Sequence, residues 1–310
     1  MKSDKRAAAA VAGNCVAMLF YGLSFLWTKI SYRYCGPFTV ILVRLTLSSL
    51  LLVLMERLTG LGRRGIPDER RPDRMDIVRL GILSLFLPFL YFVGENLGLL
   101  SVSPAVAATI IALIPVATPL VSRLFLKDRI GIAAILGMVL SLSGIFLMIK
   151  DGLEDATATV AGVLLLFVAV LASAVGAVVV RRMPSRLSGF TIVKYQNFFG
   201  ALLFFPLFLI FEARSLPRIR PAPELLWSLG ALAILPSTVS YVLYNHAIRV
   251  LGPARASAFS NAVPVVAAVF SALVLGERFG TVKVLGMGIV LAGVVISQIR
   301  SAGRSTGQAA

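Results

Sequence analysis

Ten apolar runs of about 18–24 residues follow one another along this chain, separated mostly by short polar connections. A run of that length, wound into a helix at about 1.5 Å per residue, crosses a hydrocarbon layer of about 30 Å. No water reaches a backbone at that depth, so each run must satisfy its own amides, and a helix does this within one segment. The pattern predicts an all-α polytopic membrane protein with ten transmembrane helices: Ala7–Ile30, Phe38–Met55, Ile77–Leu100, Ala105–Leu126, Ile132–Ile149, Val160–Val180, Phe190–Phe211, Leu225–Ile248, Ala254–Leu275 and Val282–Ile299. Composition agrees. Of the 310 residues 58% are hydrophobic and 14% charged, where a soluble domain carries about 25% charge.

The net charge of +16 would suggest nucleic acid in a soluble protein. Here the basic residues fall mainly in the connections, where they set orientation instead, so no nucleic-acid partner is expected. Twenty Lys and Arg, among them Arg57, Arg63, Arg123, Arg181 and Arg249, gather on one side of the predicted topology. Seven lie on the other, including the cluster Arg214, Arg218 and Arg220. The imbalance places both termini in the cytoplasm of a bacterial-type inner membrane. The long connection Glu56–Asp76 reads as a solvated topology anchor. Cys15 and Cys35 flank the first run and fit neither a disulfide framework nor a metal site. That run follows the short basic "MKSDKR" and lacks a small-residue cleavage pattern, so it reads as a retained span.

Shifting the chain by 149 residues aligns its halves. Asn96 falls on Asn245, Pro104 on Pro253, Pro115 on Pro264, Ser122 on Ser271, Arg129 on Arg278 and Gly144 on Gly293, while "LGM" at Leu136–Met138 recurs at Leu285–Met287. The expected units are 1–149 and 150–300, followed by a flexible cytoplasmic tail, 301–310. Each half holds five spans, an odd number, so the second enters from the opposite face. This predicts a five-plus-five inverted repeat, an arrangement that secondary transporters use with the substrate near the midplane. Proline-interrupted segments in corresponding positions point to such a site. Pro115 and Pro264 qualify as helix hinges, because proline removes a donor and frees the carbonyls of Ile111 and Ser260. Thr109, Ser260 and Asn261 lie close enough to satisfy them; a static packing kink is the competing reading.

The stretches "YGLSFLWTKI", Pro37, Arg44, Asn96, Pro104, Pro115, "LKDRIG" and "LGMVLSLSG" resemble one EamA-type repeat of the drug/metabolite transporter superfamily. "YNHAIRVLGPARASAFSNAVPVVAAVFSALVLGERFG" with "LGMGIVLAG" resembles a second. The resemblance implies a ten-helix carrier with a central cavity and alternating access, often an exporter of amino acids or related metabolites. Asp128 departs from the family's more usual Glu; the second repeat keeps Glu277.

Ionisable groups inside a span cost about 2.5–3.5 kcal/mol at the membrane centre and usually mark function. Arg44, roughly six residues into span two, can steer an anionic substrate group or serve as an ion-pair partner in packing. Glu95 lies roughly eighteen residues, about 27 Å, into span three, near its outer end. Lys29 is similarly placed and can snorkel to the headgroups. Asn96 and Asn245 correspond under the repeat and read as structural, bonding the hairpins into spans four and nine. His246, the only histidine, suits proton carriage but stands near the end of span eight, where a structural role fits as well. Tyr21, in the first quoted motif, joins Tyr91 and Tyr241, which the resemblance places around the cavity. Such a lining suits an aromatic substrate, although aromatics in membrane helices also face lipid. The substrate-pathway candidates are thus Tyr21, Arg44, Tyr91, Glu95, Thr109, Tyr241, His246, Ser260 and Asn261. No G-x-S-x-G elbow, HExxH or phosphate loop occurs. The expectation is a non-enzymatic carrier of a small molecule in a lipid bilayer, without metal or cofactor. An intramembrane enzyme, a channel and a scaffold are the alternatives.

Overall fold

The computed structural model describes residues 2–59, 72–126, 131–154, 159–184, 187–251 and 259–299. The connection 60–71, Asp128, Pro253 and the tail 301–310 lie outside them. Among the described residues the regular elements are helices: α1 (Lys2–Ser31), α2 (Pro37–Thr59), α3 (Arg74–Ser84), α4 (Tyr91–Leu100), α5 (Pro104–Ile111), α6 (Ile114–Leu126), α7 (Ile132–Glu154), α8 (Val160–Arg181), α9 (Gly189–Phe211), α10 (Pro223–Ile234), α11 (Tyr241–Leu251), α12 (Ala262–Leu275) and α13 (Thr281–Ile299). Seven helical segments are long and apolar enough to cross a membrane: Ala7–Ser31, Pro37–Leu58, Arg74–Leu100, Pro104–Phe125, Val160–Val180, Gly189–Phe211 and Pro223–Tyr244. Ile135–Met148, Phe259–Leu275 and Thr281–Ser297 are apolar but shorter. This is a multi-pass, all-helical membrane protein.

Local sequence explains where the helices begin. The first amides of a helix have no partner in their own turn. Ser103, Thr159 and Ser188 meet this need at α5, α8 and α9, accepting from the backbone N–H of Val106, Gly162 and Thr191. Asp73 and Asp76 form a reciprocal capping box at α3. At the other end, Gly276 takes a left-handed φ of 68° and terminates α12.

Spans three and eight, read from sequence as continuous helices, are broken in the structure. A wide π-type turn, Leu85–Leu90, joins α3 to α4, and Leu87 inside it leaves helical geometry (φ −127°, ψ 108°). A second such turn, Leu235–Ser240, joins α10 to α11. The physical cause is shared: Pro88 and Pro236 each lack the N–H that would continue the ladder. Under the 149-residue shift the prolines stand one position apart.

Span four breaks as well, at Ala112–Leu113, where the amide of Leu113 reaches back three residues to Ile110. Pro115 stands second in α6 and Pro264 third in α12. Both occupy the first turn of a new helix, where a missing donor costs nothing.

The packing is reciprocal. α1 lies against α11 and α12, and α8 lies against their first-half counterparts α4 and α6. α2 packs on α9 and α7 on α13, each on its own repeat equivalent. Between membrane helices, small residues and hydrogen bonds drive association more than hydrophobicity does. The α7–α13 crossing follows that rule, with Gly137 against Gly293, Gly144 against Gly286, and the Ser141 hydroxyl donating to the Val290 carbonyl at 3.2 Å.

Candidate functional site

α2 carries Arg44 into the protein interior, where it is only 7% exposed. Its Nε donates to Ser237 Oγ at 2.6 Å, and the guanidinium carbon lies 4.7 Å from the centre of the Phe92 ring. Among the described residues no acceptor takes its two terminal nitrogens. The fork these form is the group that grips a carboxylate with two parallel bonds.

Glu95, 8% exposed, projects from α4. Its Oε1 accepts the Tyr91 hydroxyl at 2.7 Å, while Oε2 has no hydrogen-bond donor among the described residues. The Arg44 charge acts on Glu95 and on the phenols of Tyr21, Tyr32, Tyr91 and Tyr241, so these side chains share one electrostatic neighbourhood. Tyr21 and Tyr241 meet edge to face, centroids 6.2 Å apart. One buried cation, one buried carboxyl group and a wall of aromatic rings therefore sit together, a set able to hold a small zwitterion with an apolar side chain.

The two helix breaks frame this cluster, and α2 and α9 hold them in place. Ser48 of α2 lies 2.9 Å from the Ser237 carbonyl and 2.9 Å from Thr238 Oγ1. Gln196 of α9 donates to the Leu87 carbonyl at 3.0 Å. Asn197 joins the two staples by donating to Ser48 Oγ at 2.9 Å. A broken membrane helix needs such partners, because hydrocarbon cannot solvate its free carbonyls.

Five of the nine residues expected along the pathway, Tyr21, Arg44, Tyr91, Glu95 and Tyr241, thus converge. The other four are placed as follows. Thr109 is fully buried and bonds the Ala105 carbonyl of its own helix at 2.7 Å rather than the carbonyls near Pro115. His246 is exposed on α11. Ser260 and Asn261 belong to the 3-10 turn Phe259–Asn261 that leads into α12, and Asn261 caps that helix with no side-chain bond. Asn96 is buried and accepts the Tyr32 hydroxyl on its Oδ1 at 2.7 Å, not the hairpin amides. Asn245 lies in α11, its side chain outside the described ones. Lys29 donates to the Leu99 and Val102 carbonyls at 2.6 and 3.3 Å, where the free C-terminal end of α4 attracts a cation.

Sequence reasoning missed Ser48, Ser237 and Glu212. Glu212, just past α9, caps α2 across the fold, accepting from the amides of Phe38 and Thr39 at 3.0 and 2.7 Å. The available signal for the breaks was the near-register pair Pro88 and Pro236.

Known proteins agree with this architecture. A solved crystal structure superposes with a TM-score of 0.66, covering 96% of this chain and 99% of the other at 19% identity, which concerns the fold alone. An uncharacterized transporter of Archaeoglobus fulgidus is 25% identical over 91% of this chain and 95% of its own. A protein of Streptantibioticus cattleyicolor named "Probable terminal-alkyne amino-acid exporter" is 27% identical over 85% of this chain and 84% of its own. The model of the EamA-like transporter family matches twice, over residues 9–150 and 160–298. The chain, carrying this domain in two copies, belongs to the EamA-like transporter family.

Proposed function

We propose that this protein is a secondary carrier that moves an amino-acid-like zwitterion, with an aromatic or other apolar side chain, by alternating access. The observation that carries the reading is the burial of Arg44 over the Phe92 ring and of Glu95 on the hydroxyl of the adjoining Tyr91, with the Tyr21–Tyr241 ring pair within reach of the Arg44 charge. The Arg44 fork takes the substrate carboxylate, Glu95 takes its ammonium group, and the rings receive its side chain. Burying two charges in a membrane is costly, and a substrate that complements both repays that cost during binding. Transport is outward in this reading, which the name of the Streptantibioticus relative supports. The protein is a carrier rather than an enzyme.

Ten spans form a five-plus-five inverted repeat, 1–149 and 150–300, around a central cavity, with the tail 301–310 and both termini in the cytoplasm of an inner membrane. The reciprocal packing of α1 and α8 supports this, as do the self-equivalent pairs α2–α9 and α7–α13. Pro115 and Pro264 then serve as hinges at the start of α6 and α12.

Two measurements test it. In proteoliposomes loaded with one unlabelled L-amino acid at a time, a carrier gives saturable, trans-stimulated uptake of the labelled compound. Uptake linear in concentration indicates a channel, and no uptake across the set defeats the amino-acid reading. Cysteines placed at Gly65 and Gly189 should label from the cytoplasm and one at Gly152 from outside. Labelling of the Gly65 and Gly152 sites from one side would defeat the inverted repeat.

A further inference from the structure

The two halves differ where it matters. The repeat equivalent of Arg44 is Val193, and that of Ser237 is Pro88. At both positions one half carries an apolar residue and the other a polar one, and the two polar residues meet at 2.6 Å. The proline of the second break stands one residue earlier than that of the first, which leaves position 237 free to bear a hydroxyl. We infer that Ser237 is a positioning residue for substrate recognition. By occupying Nε it fixes the guanidinium plane and leaves the two terminal nitrogens as a fork for a carboxylate. The inference rests on the reading that Arg44 receives that carboxylate.

The geometry separates orientation from folding. The second break is pinned to α2 through the Ser237 carbonyl, which the Ser48 hydroxyl reaches at 2.9 Å. Removing the Ser237 hydroxyl leaves that staple in place. What it removes is a charge-assisted bond on Nε, the stronger kind of hydrogen bond. The freed guanidinium then rotates over the Phe92 face, and its fork no longer meets a carboxylate squarely. The loss belongs to binding rather than to the later steps of the cycle.

The test compares the full-length wild type with Ser237→Ala and Ser237→Thr. In protein labelled with 15N-arginine, the Arg44 Nε–H signal is identified by its loss in Arg44→Lys. It should exchange slowly with solvent in the wild type and in Ser237→Thr, and fast in Ser237→Ala. In counterflow with L-phenylalanine as the probe, Ser237→Ala should raise half-saturation roughly tenfold with the maximal rate within about twofold. Ser237→Thr should restore it. Unchanged Nε–H exchange in Ser237→Ala, or a fall in maximal rate with half-saturation unmoved, would overturn the inference. If the wild type gives no L-phenylalanine counterflow, use of this probe as substrate is refuted; the exchange measurement still decides whether Ser237 positions Arg44.

Discussion

The amide of Asn197 donates to the hydroxyl of Ser48 across 2.9 Å, and the two residues are 149 positions apart, equivalent members of the duplicated halves in direct contact. Under the proposed inverted repeat, a pair related by the two-fold can touch only near its axis, and this bond would then mark where α2 and α9 cross it. Ser48 also reaches the Ser237 carbonyl, which ties the axis to the second break. Hydrogen bonds between membrane helices average about 0.6 kcal/mol and reach about 1.7 in double-mutant cycles. Ser48→Ala and Asn197→Ala should each lower stability by about 1 kcal/mol. The double variant should lose clearly less than the sum, because both remove the same bond. Denaturant unfolding in mixed micelles measures this; strictly additive losses would mean that the pair carries no joint energy.

Helices α7 and α13 cross on glycine. A methyl group added at Gly144 would stand 2.7 Å from the Gly286 carbonyl oxygen, and neither backbone can yield cheaply. Gly144→Ala should cost about 1–3 kcal/mol and reduce folded yield. Gly288→Ala, on the same α13 but with open space around it, should cost little. Fluorescence-detected size-exclusion of the two variants compares them directly.

Cys35 stands between α1 and α2, outside the membrane-spanning segments. Burial first, and the Glu212 carboxylate second, push its thiol up to about 12. The folded protein therefore keeps this proton through the range in which an ordinary thiol, near 9.0, gives it up. The stabilising contribution of the buried neutral thiol is full below pH 9 and is lost as pH rises toward 12. Since only the thiolate attacks iodoacetamide, alkylation of Cys35 at pH 9 in a Cys15→Ala background should run roughly a hundredfold slower in folded than in SDS-unfolded protein. Mass spectrometry against time provides the rates, and equal rates would contradict the burial.

Much of the fold was legible because a membrane leaves few choices. Except for span nine, whose expected start at Ala254 lies outside the described residues, apolar runs located the helices to within a few residues, and the ionisable residues Arg44 and Glu95 stood out within them. The tyrosines at 21, 91 and 241 were legible only together with the family resemblance, since rings on membrane helices have other uses. The breaks in spans three and eight escaped because hydropathy does not register a π-type turn, and Pro88 and Pro236 are displaced by one position under the repeat. Ser48 and Ser237 escaped for another reason. A hydroxyl in an apolar helix usually bonds its own preceding carbonyl, as Thr109 does, and no local pattern distinguishes one that reaches another helix. The hold of Lys29 on the α4 carbonyls joins residues about seventy positions apart, which no local pattern reveals either.

Substrate selectivity decides whether Arg44 and Glu95 hold the two ends of one zwitterion. The most direct measurement is counterflow inhibition by L-phenylalanine, its carboxamide and its deaminated analogue 3-phenylpropionate, in the wild type, Arg44→Ala and Glu95→Gln, each normalised to folded protein. The wild type should favour the zwitterion over both analogues by at least tenfold, since each analogue leaves one buried charge unpaired. Arg44→Ala should lose discrimination against the carboxamide alone, and Glu95→Gln against 3-phenylpropionate alone. If both variants lose transport only in proportion to folded yield and keep the wild-type order of preference, the two charges are structural and the site lies elsewhere.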